Sequence, residues 1–222
     1  MGIEVNYVDH MGSDLNVVNS ARVSFGKRSS YDEGVCGEWE LPDADKKLIR
    51  YLATHKHYSP FGHCFASFHV KAPVFVRAQL VKHEYLRVNE ISRRYVDTEP
   101  EFYVPDVWRG RAKDKKQGSD GVSIWNHGQG TGYREIEYEV MQDVKDLYTS
   151  MIERGVAPEM ARMVLPQSMM TEWYWSGSLD AFANMCNLRL PEDSQYESRL
   201  VAQQISAKML ELYPVSWEAL VN

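Results

Sequence analysis

The densest group of polar side chains in the sequence lies between Lys82 and Tyr95, directly after an apolar run. Lys, His, Glu, Asn, Ser and Arg follow one another there with few apolar residues between them. Such a segment cannot fill a hydrophobic core, because every buried charge would need its own partner. It predicts a surface that binds an anionic, hydrogen-bonding ligand, although a solvated charged turn would have the same composition.

The spacing of the residues in and before this segment predicts two rows of polar side chains. Gln79, Lys82 and His83 stand at helical spacing and would share one face of a helix. The apolar stripe of that helix would consist of Val74, Ala78, Val81 and Tyr85. A second row, on an extended segment where alternate residues point the same way, would consist of Glu90, Ser92 and Arg94.

Charge and cysteine content narrow the class of protein. The chain has 25 Lys and Arg against 31 Asp and Glu, a net charge of −6, which gives poor support to general nucleic-acid binding. No apolar run reaches the ~18 residues of a membrane-spanning helix, and the first residues lack the pattern of a secretion signal. Cys36, Cys64 and Cys186 are odd in number and widely spaced, so they indicate neither a disulfide framework nor a zinc site. We expect a protein of the reduced cytoplasm.

The hydrophobic patterns predict an α+β fold in which helix outweighs strand, with a small mixed or antiparallel sheet. A chain of 222 residues is long enough to bury a core, and we expect a single domain over residues 1–222. Residues 109–132, rich in Lys, Asp and Gly, are predicted to form an exposed loop. The predicted strands are 3–8 and 65–70, and the predicted helices are 14–21, 43–54, 133–154, 179–187 and 192–212.

The spacing of three histidines raises the hypothesis of a metal-binding site. His55 and His57 have a His-x-His spacing, and His63 follows shortly after. No companion carboxylate pattern accompanies them, so we predict that the chain holds no metal.

Arg162 and Arg189 stand in otherwise apolar settings. An arginine in such a position must either extend its guanidinium to water or bind an anion. The local sequence leaves both possibilities open.

The polar segment resembles the flavin-dependent thymidylate synthases. That family has Arg-His-Arg where this chain has Lys82-His83-Glu84, with a Ser downstream at the spacing of Ser92. Residues 89–95 match the family's run Asn-Glu-x-Ser-x-Arg-Tyr. Further segments similar to the family cover nearly the whole chain in order, at residues 11–25, 57–63, 68–73, 101–105, 161–166 and 187–189.

The resemblance implies a flavoprotein methyltransferase of dTMP biosynthesis. It would methylate dUMP at C5 to give dTMP, with methylenetetrahydrofolate as the one-carbon donor. FAD, reduced by NADPH, would supply the hydride, so that the cofactor carries the difficult chemistry while the protein orients it. The family assembles each site from several subunits of a homotetramer, and we expect the same here.

The resemblance also implies roles for individual residues. Arg189 would be catalytic, because in the family the matching arginine contacts the uracil ring and promotes ionisation at N3. The residues expected to bind dUMP are Gln79, Lys82, Glu90, Ile91, Ser92, Arg93, Arg94, Arg162 and Arg189. Those expected to bind FAD are His57, Ser59, Lys82, His83, Glu84, Glu90, Ser178, Asp180 and Asn184.

The cysteines agree with that mechanism. One way to activate a uracil ring is the addition of an activated thiolate at C6. Neither Cys64, in an alternating strand pattern, nor Cys186, in an apolar helix pattern, has a basic neighbourhood. Both are predicted to be core residues, as expected of a family that polarises the base instead.

The chain departs from the family pattern at several positions. Lys82 keeps a positive charge but loses the bidentate fork of an arginine. Glu84 and Asp180 place carboxylates where relatives have cations near the flavin pyrophosphate, and Gly62 replaces a common Glu. Three consequences are open: the flavin lies differently, it binds weakly, or a basic residue such as Arg87 or Arg93 replaces the positive charge that is lost.

These departures leave two other functions open. One is an enzyme of the same fold that makes another C5-modified deoxyuridylate. The other is a non-catalytic nucleotide-binding relative that has lost flavin. Flavin absorbance of the purified protein and mass analysis of its product distinguish the three.

Overall fold

A computed structural model describes residues 2–34, 37–113, 118–123 and 133–221. The strands are β1 Glu4–Met11, β2 Asp32–Glu33, β3 Trp39–Glu40, β4 Phe65–Pro73, β5 Leu86–Glu90, β6 Arg109–Arg111, β7 Ser119–Ser123 and β8 Met170–Ser178. The helices are α1 Asp14–Arg22, α2 Asp43–Thr54, α3 Val74–Leu80, α4 Tyr133–Glu153, α5 Pro158–Ala161, α6 Leu179–Arg189, α7 Tyr196–Leu212 and α8 Pro214–Leu220. Short 3-10 turns span Val23–Phe25, Phe61–His63 and Arg162–Val164.

The centre of the fold is an antiparallel sheet with the strand order β1-β4-β8-β5. In its register Phe65 lies opposite Ser178, and Leu86 lies opposite Gly177. The start of β4, the end of β8 and the start of β5 therefore meet at one edge of the sheet. The observed fold confirms the predicted α+β class with a small antiparallel sheet.

The core lies between this sheet and the helices that follow it. Phe68 on β4 and Trp175 on β8 are fully buried, and both rings contact Phe182 of α6 edge to face, at centroid distances of 5.3 and 5.7 Å. Such pairs stabilise a core beyond the area they bury. The fully buried residues of α1, α2, α6 and α7 that join the same core include Val17, Val18, Ile49, Met185, Val201, Ile205 and Met209.

Hydrogen bonds tie the two ends of the chain together. The Asp14 carboxylate accepts the backbone N–H groups of Val215 and Ser216, both at 2.9 Å, and so satisfies donors in the first turn of α8. The Tyr213 hydroxyl donates to the carbonyls of Met11 and Phe65. These contacts hold β1 and α1 against the C-terminal helices.

The predicted helix through Lys82 and His83 is wrong. α3 ends at Leu80, and the chain then turns, with Tyr85 at φ 64° and its side chain 78% exposed. The cause is tertiary, because Leu86 begins a strand that pairs with β8 and draws the chain out of the helix. Gln79 therefore does not share a helix face with the two residues after it.

The strand β8 was not predicted, although buried and less buried side chains alternate along Met170–Ser178 as in a half-buried strand. Within the predicted loop 109–132, β6 and β7 pair as a short antiparallel ribbon. Residues 114–117 and 124–132 of that stretch lie outside the described residues. Within the described parts of the chain, no helix is long and apolar enough to cross a bilayer.

Candidate active site

A cavity of about 570 Å³, cavity B, lies beside α3 and collects most of the residues predicted to bind dUMP. Val74, Arg77 and Ala78 line it from one face of α3. The predicted residues that it brings together are Glu90, Ile91, Ser92, Arg93, Arg94 and Arg162. Arg162 comes from the turn after α5, so the fold joins segments that are distant in sequence.

Cavity B is cationic. The Arg94 Nε donates to Ser92 Oγ at 3.2 Å, and its guanidinium lies 5.0 Å from the centroid of the Tyr95 ring. Arg93 and Arg162 each donate to a backbone carbonyl oxygen. Among the described residues, none of these arginines has a carboxylate partner. Their charge is therefore available to an anion such as a phosphate.

Arg77 is a cavity residue that the sequence reasoning missed. Its Nη2 lies 2.9 Å from Glu90 Oε2, and the Thr171 hydroxyl donates to Glu90 Oε1, also at 2.9 Å. Glu90 is thus fixed by two partners, and its charge is balanced within the chain. The available signal was an arginine inside the apolar run of α3, at helical spacing from Val74.

A second cavity of about 420 Å³, cavity A, contains the predicted catalytic residue Arg189 together with Gln79. Aromatic side chains form much of its wall: Phe75, Tyr103, Trp108 and Tyr196. Aromatic walls with a few polar groups suit a planar ligand such as a nucleobase.

His83 holds Arg189 in place. The Arg189 Nε donates to His83 Nε2 at 3.0 Å, so this ring nitrogen must carry a lone pair. Burial, and then the positive charge of Arg189, lower the pKa of His83 to about 4. The imidazole is therefore neutral near pH 7 and remains an acceptor. Burial also lowers the pKa of Arg189, but a guanidinium stays protonated in proteins.

The two cavities divide the predicted dUMP-binding residues. Phe75 and Gln79 of α3 face cavity A, whereas Val74, Arg77 and Ala78 face cavity B. Lys82, in the turn after α3, lines neither of them and is exposed.

The residues predicted to bind FAD lie mainly around the sheet edge where β8 ends. Ser178 ends β8, and Asp180 and Asn184 lie on α6. The Leu179 N–H donates to the Cys64 carbonyl at 2.8 Å, next to the 57–63 segment. The turn that holds Lys82, His83 and Glu84 packs on β8 at Gly177. A Cβ on Gly177 would lie 2.9 Å from the Tyr85 carbonyl oxygen, so only glycine allows this approach.

The hydrogen-bonding groups at this edge fit a flavin. Ser59 and Asn184 are exposed, and their side chains have no hydrogen-bond partner in the described residues. A Cβ at Gly62 would meet nothing within 4 Å, so the space where relatives have Glu is open. Asp180 has one carboxylate oxygen that is buried and without a partner in the same described set.

The charges at this edge fit a pyrophosphate less well. Lys82 and Glu84 are both exposed, and the carboxylates of Glu84 and Asp180 offset the positive charge of Lys82. Within the described parts of the chain, Glu84 forms no ion pair with Arg87 or Arg93. Arg87 itself is exposed on β5 and remains available to balance the charge.

Neither described cysteine is an activated nucleophile. Cys64 and Cys186 are fully buried, and burial raises the pKa of both thiols, that of Cys64 to about 11. Both are core residues, as predicted, and Cys36 lies outside the described residues. The described residues include no group of three or more His, Cys, Asp or Glu side chains that could hold a metal ion.

Comparison with known proteins gives consistent results over nearly the whole chain. The family model described as thymidylate synthase complementing protein matches residues 6–215. A flavin-dependent thymidylate synthase of Kosmotoga olearia is 38% identical over 218 residues, which cover 98% of this chain and 90% of that protein. One from Thermus thermophilus is 40% identical over 215 residues, 97% of this chain and 74% of that protein.

Solved structures with the same fold include a UMP/dUMP methylase, PolB, from Streptomyces cacaoi. Its crystal structure bound with 5-Br UMP matches with a TM-score of 0.80 at 30% identity, and covers 98% of this chain and 92% of that one. The structure bound with 5-Br dUMP matches with a TM-score of 0.74 at the same identity.

Proposed function

Because the chain belongs to the flavin-dependent thymidylate synthase family, we infer that it methylates dUMP at C5 to give dTMP with FAD as its cofactor. We propose that methylenetetrahydrofolate supplies the one-carbon unit and NADPH the reducing equivalents. In the balanced reaction, dUMP, methylenetetrahydrofolate, NADPH and a proton give dTMP, tetrahydrofolate and NADP⁺. The observation that carries the proposal is that α3 presents the cationic cavity B on one face and the aromatic, arginine-containing cavity A on another.

Cavity B is the proposed phosphate site. Ser92, Arg94 and Arg162 converge on it without carboxylate partners in the described residues, so a phosphate would add the missing counter-charge. Charge-assisted hydrogen bonds of this kind are about twice as strong as neutral ones. Glu90, fixed by Arg77, would present a carboxylate oxygen to the sugar hydroxyl rather than repel the phosphate.

Cavity A is the proposed site for the uracil ring. Arg189 would lie beside the base and stabilise the negative charge that develops on ionisation at N3, a preorganised electrostatic contribution. His83 keeps the guanidinium in one orientation before the substrate arrives. The aromatic wall excludes water, which strengthens that interaction.

The sheet edge at the end of β8 is the proposed flavin site. Ser59, His57 and Asn184 would donate or accept hydrogen bonds, and Lys82 would face the pyrophosphate. When bound and reduced, the flavin supplies the hydride that completes the methyl group. The protein's part is to orient the ring against the base.

The division of the site supports a homotetramer with shared active sites. Phosphate-binding and base-binding residues occupy different faces of α3, so one dUMP would reach both sets more readily when cavity B of one subunit meets cavity A of another. We propose that each chain acts as a single domain in this assembly. Free thiols at Cys64 and Cys186 suit a reducing cytoplasm.

A single assay tests the function. The purified protein is incubated with dUMP, methylenetetrahydrofolate, FAD and NADPH, and the mass of the nucleotide product is measured by mass spectrometry. Methylation adds one CH₂ group, whereas hydroxymethylation adds CH₂O. An unchanged nucleotide, with FAD bound, would refute the proposal. UMP in place of dUMP shows whether the ribonucleotide is also a substrate.

The role of Arg189 has its own test. Arg189→Ala should lower kcat much more than it raises KM for dUMP, because its contribution is made mainly in the transition state. The control is Arg154→Ala, an exposed arginine just after α4, which should leave both constants unchanged. An unchanged kcat in Arg189→Ala would show that the arginine has no role in activating the base.

A further inference from the structure

A chain of hydrogen bonds runs along the wall of cavity A and ends on Gln79. The Gln79 Nε2 donates to Gln195 Oε1 at 3.3 Å, and the Gln195 Nε2 donates to Glu197 Oε2 at 3.3 Å. On its other side, Gln79 Oε1 accepts the Ser198 hydroxyl at 2.5 Å. The side-chain amides of Gln79 and Gln195 could each be flipped, with O and NH₂ exchanged, and still bond to each other. Their orientation must therefore be fixed by a neighbouring group.

The carboxylate of Glu197 fixes the orientation of both amides. It is only 3% exposed, its Oε1 lies 2.5 Å from Arg109 Nη2, and the Tyr103 hydroxyl donates to the same oxygen at 3.4 Å. An ionised carboxylate accepts hydrogen bonds and donates none. Burial, and then the charge of Glu197, raise the pKa of Tyr103 to about 12, so its hydroxyl remains a donor.

The direction of every bond in the chain follows from this acceptor. Gln195 must turn its NH₂ group to Glu197, which leaves its carbonyl oxygen for Gln79. Gln79 must then turn its own NH₂ group to Gln195 and its oxygen to Ser198. The NH₂ group of Gln79 has two hydrogens, and one of them is bonded to Gln195. The other has no partner in the described residues. Because Gln79 lines cavity A, this hydrogen can be donated to a ligand there.

We propose that Glu197 and Gln195 are positioning residues that fix Gln79 as a hydrogen-bond donor to an acceptor oxygen of the bound uridylate. This inference rests on the proposed function of cavity A and extends it, because it gives a role to Glu197 and Gln195 and to Arg109, which anchors Glu197 from β6. A uracil carbonyl oxygen is the expected acceptor, because the base is proposed to lie in cavity A, and a phosphate oxygen is the alternative with the same hydrogen-bonding chemistry.

The test uses Gln195→Met, which breaks the chain at its centre while leaving the ion pair between Glu197 and Arg109 in place. Calorimetry on the FAD-loaded protein measures the Kd for dUMP, for deoxyuridine and for dCMP. We expect dUMP to bind about 3- to 10-fold more weakly, the effect of one lost hydrogen bond. Gln203→Met, an exposed glutamine of α7, is the matched control and should bind all three ligands as the wild type does.

The ligands distinguish the two acceptors. If Gln79 donates to the phosphate, deoxyuridine affinity stays unchanged in Gln195→Met. If it donates to a uracil carbonyl, deoxyuridine weakens as much as dUMP does. Discrimination against dCMP then falls only if the acceptor is O4, because cytosine keeps the O2 carbonyl. Either result supports the proposal, whereas unchanged affinity for all of them overturns it.

A double-mutant cycle separates positioning from a general effect on folding. In a Gln79→Leu background, Gln195→Met should cause no further loss of dUMP affinity, because residues that act through one contact are not additive. Additive losses would overturn the proposal. Glu197→Gln, which frees both amides to turn, should repeat the effect of Gln195→Met. A wild-type protein that binds no dUMP would refute the proposed function itself, and this inference with it.

Discussion

The hydrogen bond between His83 and Arg189 gives a prediction whose size follows from its geometry. The bond is 3.0 Å long, partly buried, and has a charged donor, a class that contributes about 1.5–3 kcal/mol. His83→Leu removes the acceptor and should free the guanidinium. If the whole bond serves to orient Arg189 in the transition state, kcat falls about 10- to 150-fold, with a smaller change in KM for dUMP.

Two further variants of His83 make the prediction specific. His83→Gln offers an amide oxygen to the same guanidinium and should restore much of kcat. His83→Lys offers no acceptor and adds a like charge, so it should be at least as damaging as His83→Leu. His10→Leu, which removes the hydrogen bond between an exposed histidine of β1 and Tyr7, is the control and should leave kcat unchanged.

The assay is steady-state dTMP formation, with FAD affinity measured by fluorescence for each variant. His83 was predicted from sequence to contact the flavin, and this comparison separates the two roles. If kcat falls only because FAD is lost, saturating FAD restores it and the positioning argument is refuted. The same refutation follows if His83→Leu lowers kcat equally in wild-type and Arg189→Ala backgrounds.

The lowered pKa of His83 also predicts a pH-dependent stability. Because the folded pKa is about 4 and the ordinary value is 6.5, protons bind preferentially to the unfolded chain between these values. Stability should therefore fall as the pH decreases from about 6.5 to about 4, and His83→Gln should remove this part of the slope. With discounting for partial exposure we expect about 1–2 kcal/mol, measured as the difference in urea unfolding between pH 7 and pH 4.5.

Further predictions concern the other parts of the site. Arg94→Gln should weaken dUMP about 10- to 100-fold in calorimetry while leaving uncharged deoxyuridine unchanged, and equal weakening of both would make Arg94 merely structural. Replacing Cys64 and Cys186 by Ala should leave measurable turnover in folded protein, since both thiols are buried, and complete loss with FAD still bound would count against the mechanism. Glu84→Arg should lower the Kd for FAD in a fluorescence titration, with a larger effect at low salt and a larger effect than that of Glu84→Gln. An unchanged or higher Kd would exclude repulsion between the Glu84 carboxylate and the pyrophosphate. Gly177→Ala should lower the free energy of unfolding by about 1–3 kcal/mol and weaken FAD, because its Cβ would strike the turn after α3, and wild-type stability would refute that packing.

Much of the site could be predicted from the sequence because its signals are local. The composition and spacing of the polar segment Lys82–Tyr95 predicted an anion-binding surface, with a solvated charged turn as the alternative, and its residues 90–94 line cavity B. The helix predicted over 43–54 coincides with α2, since helical periodicity and hydrogen bonding join residues a few positions apart. The family resemblance then supplied the reaction and the cofactor, which no local pattern contains.

Partnerships between distant residues were decided by the tertiary structure. The pairing of β5 with β8 ended α3 at Leu80 and placed His83 in a turn, where it meets Arg189 at a separation of 106 residues. The pairing of Arg77 with Glu90 likewise depends on how α3 packs beside the end of β5.

The sequence by itself determined which residues are present, which of them are cationic, and, to within a few residues, where the longer helices α2, α4, α6 and α7 lie. Only the tertiary structure decided that Gln79 and Arg189 share one cavity while Ser92, Arg94 and Arg162 share another. The physical reason is that helix formation satisfies backbone groups within a segment, whereas a strand or a buried side chain must find its partners elsewhere in the chain. Local patterns therefore determine where helices form, and only the folded arrangement of the whole chain determines the partners of strands and buried side chains.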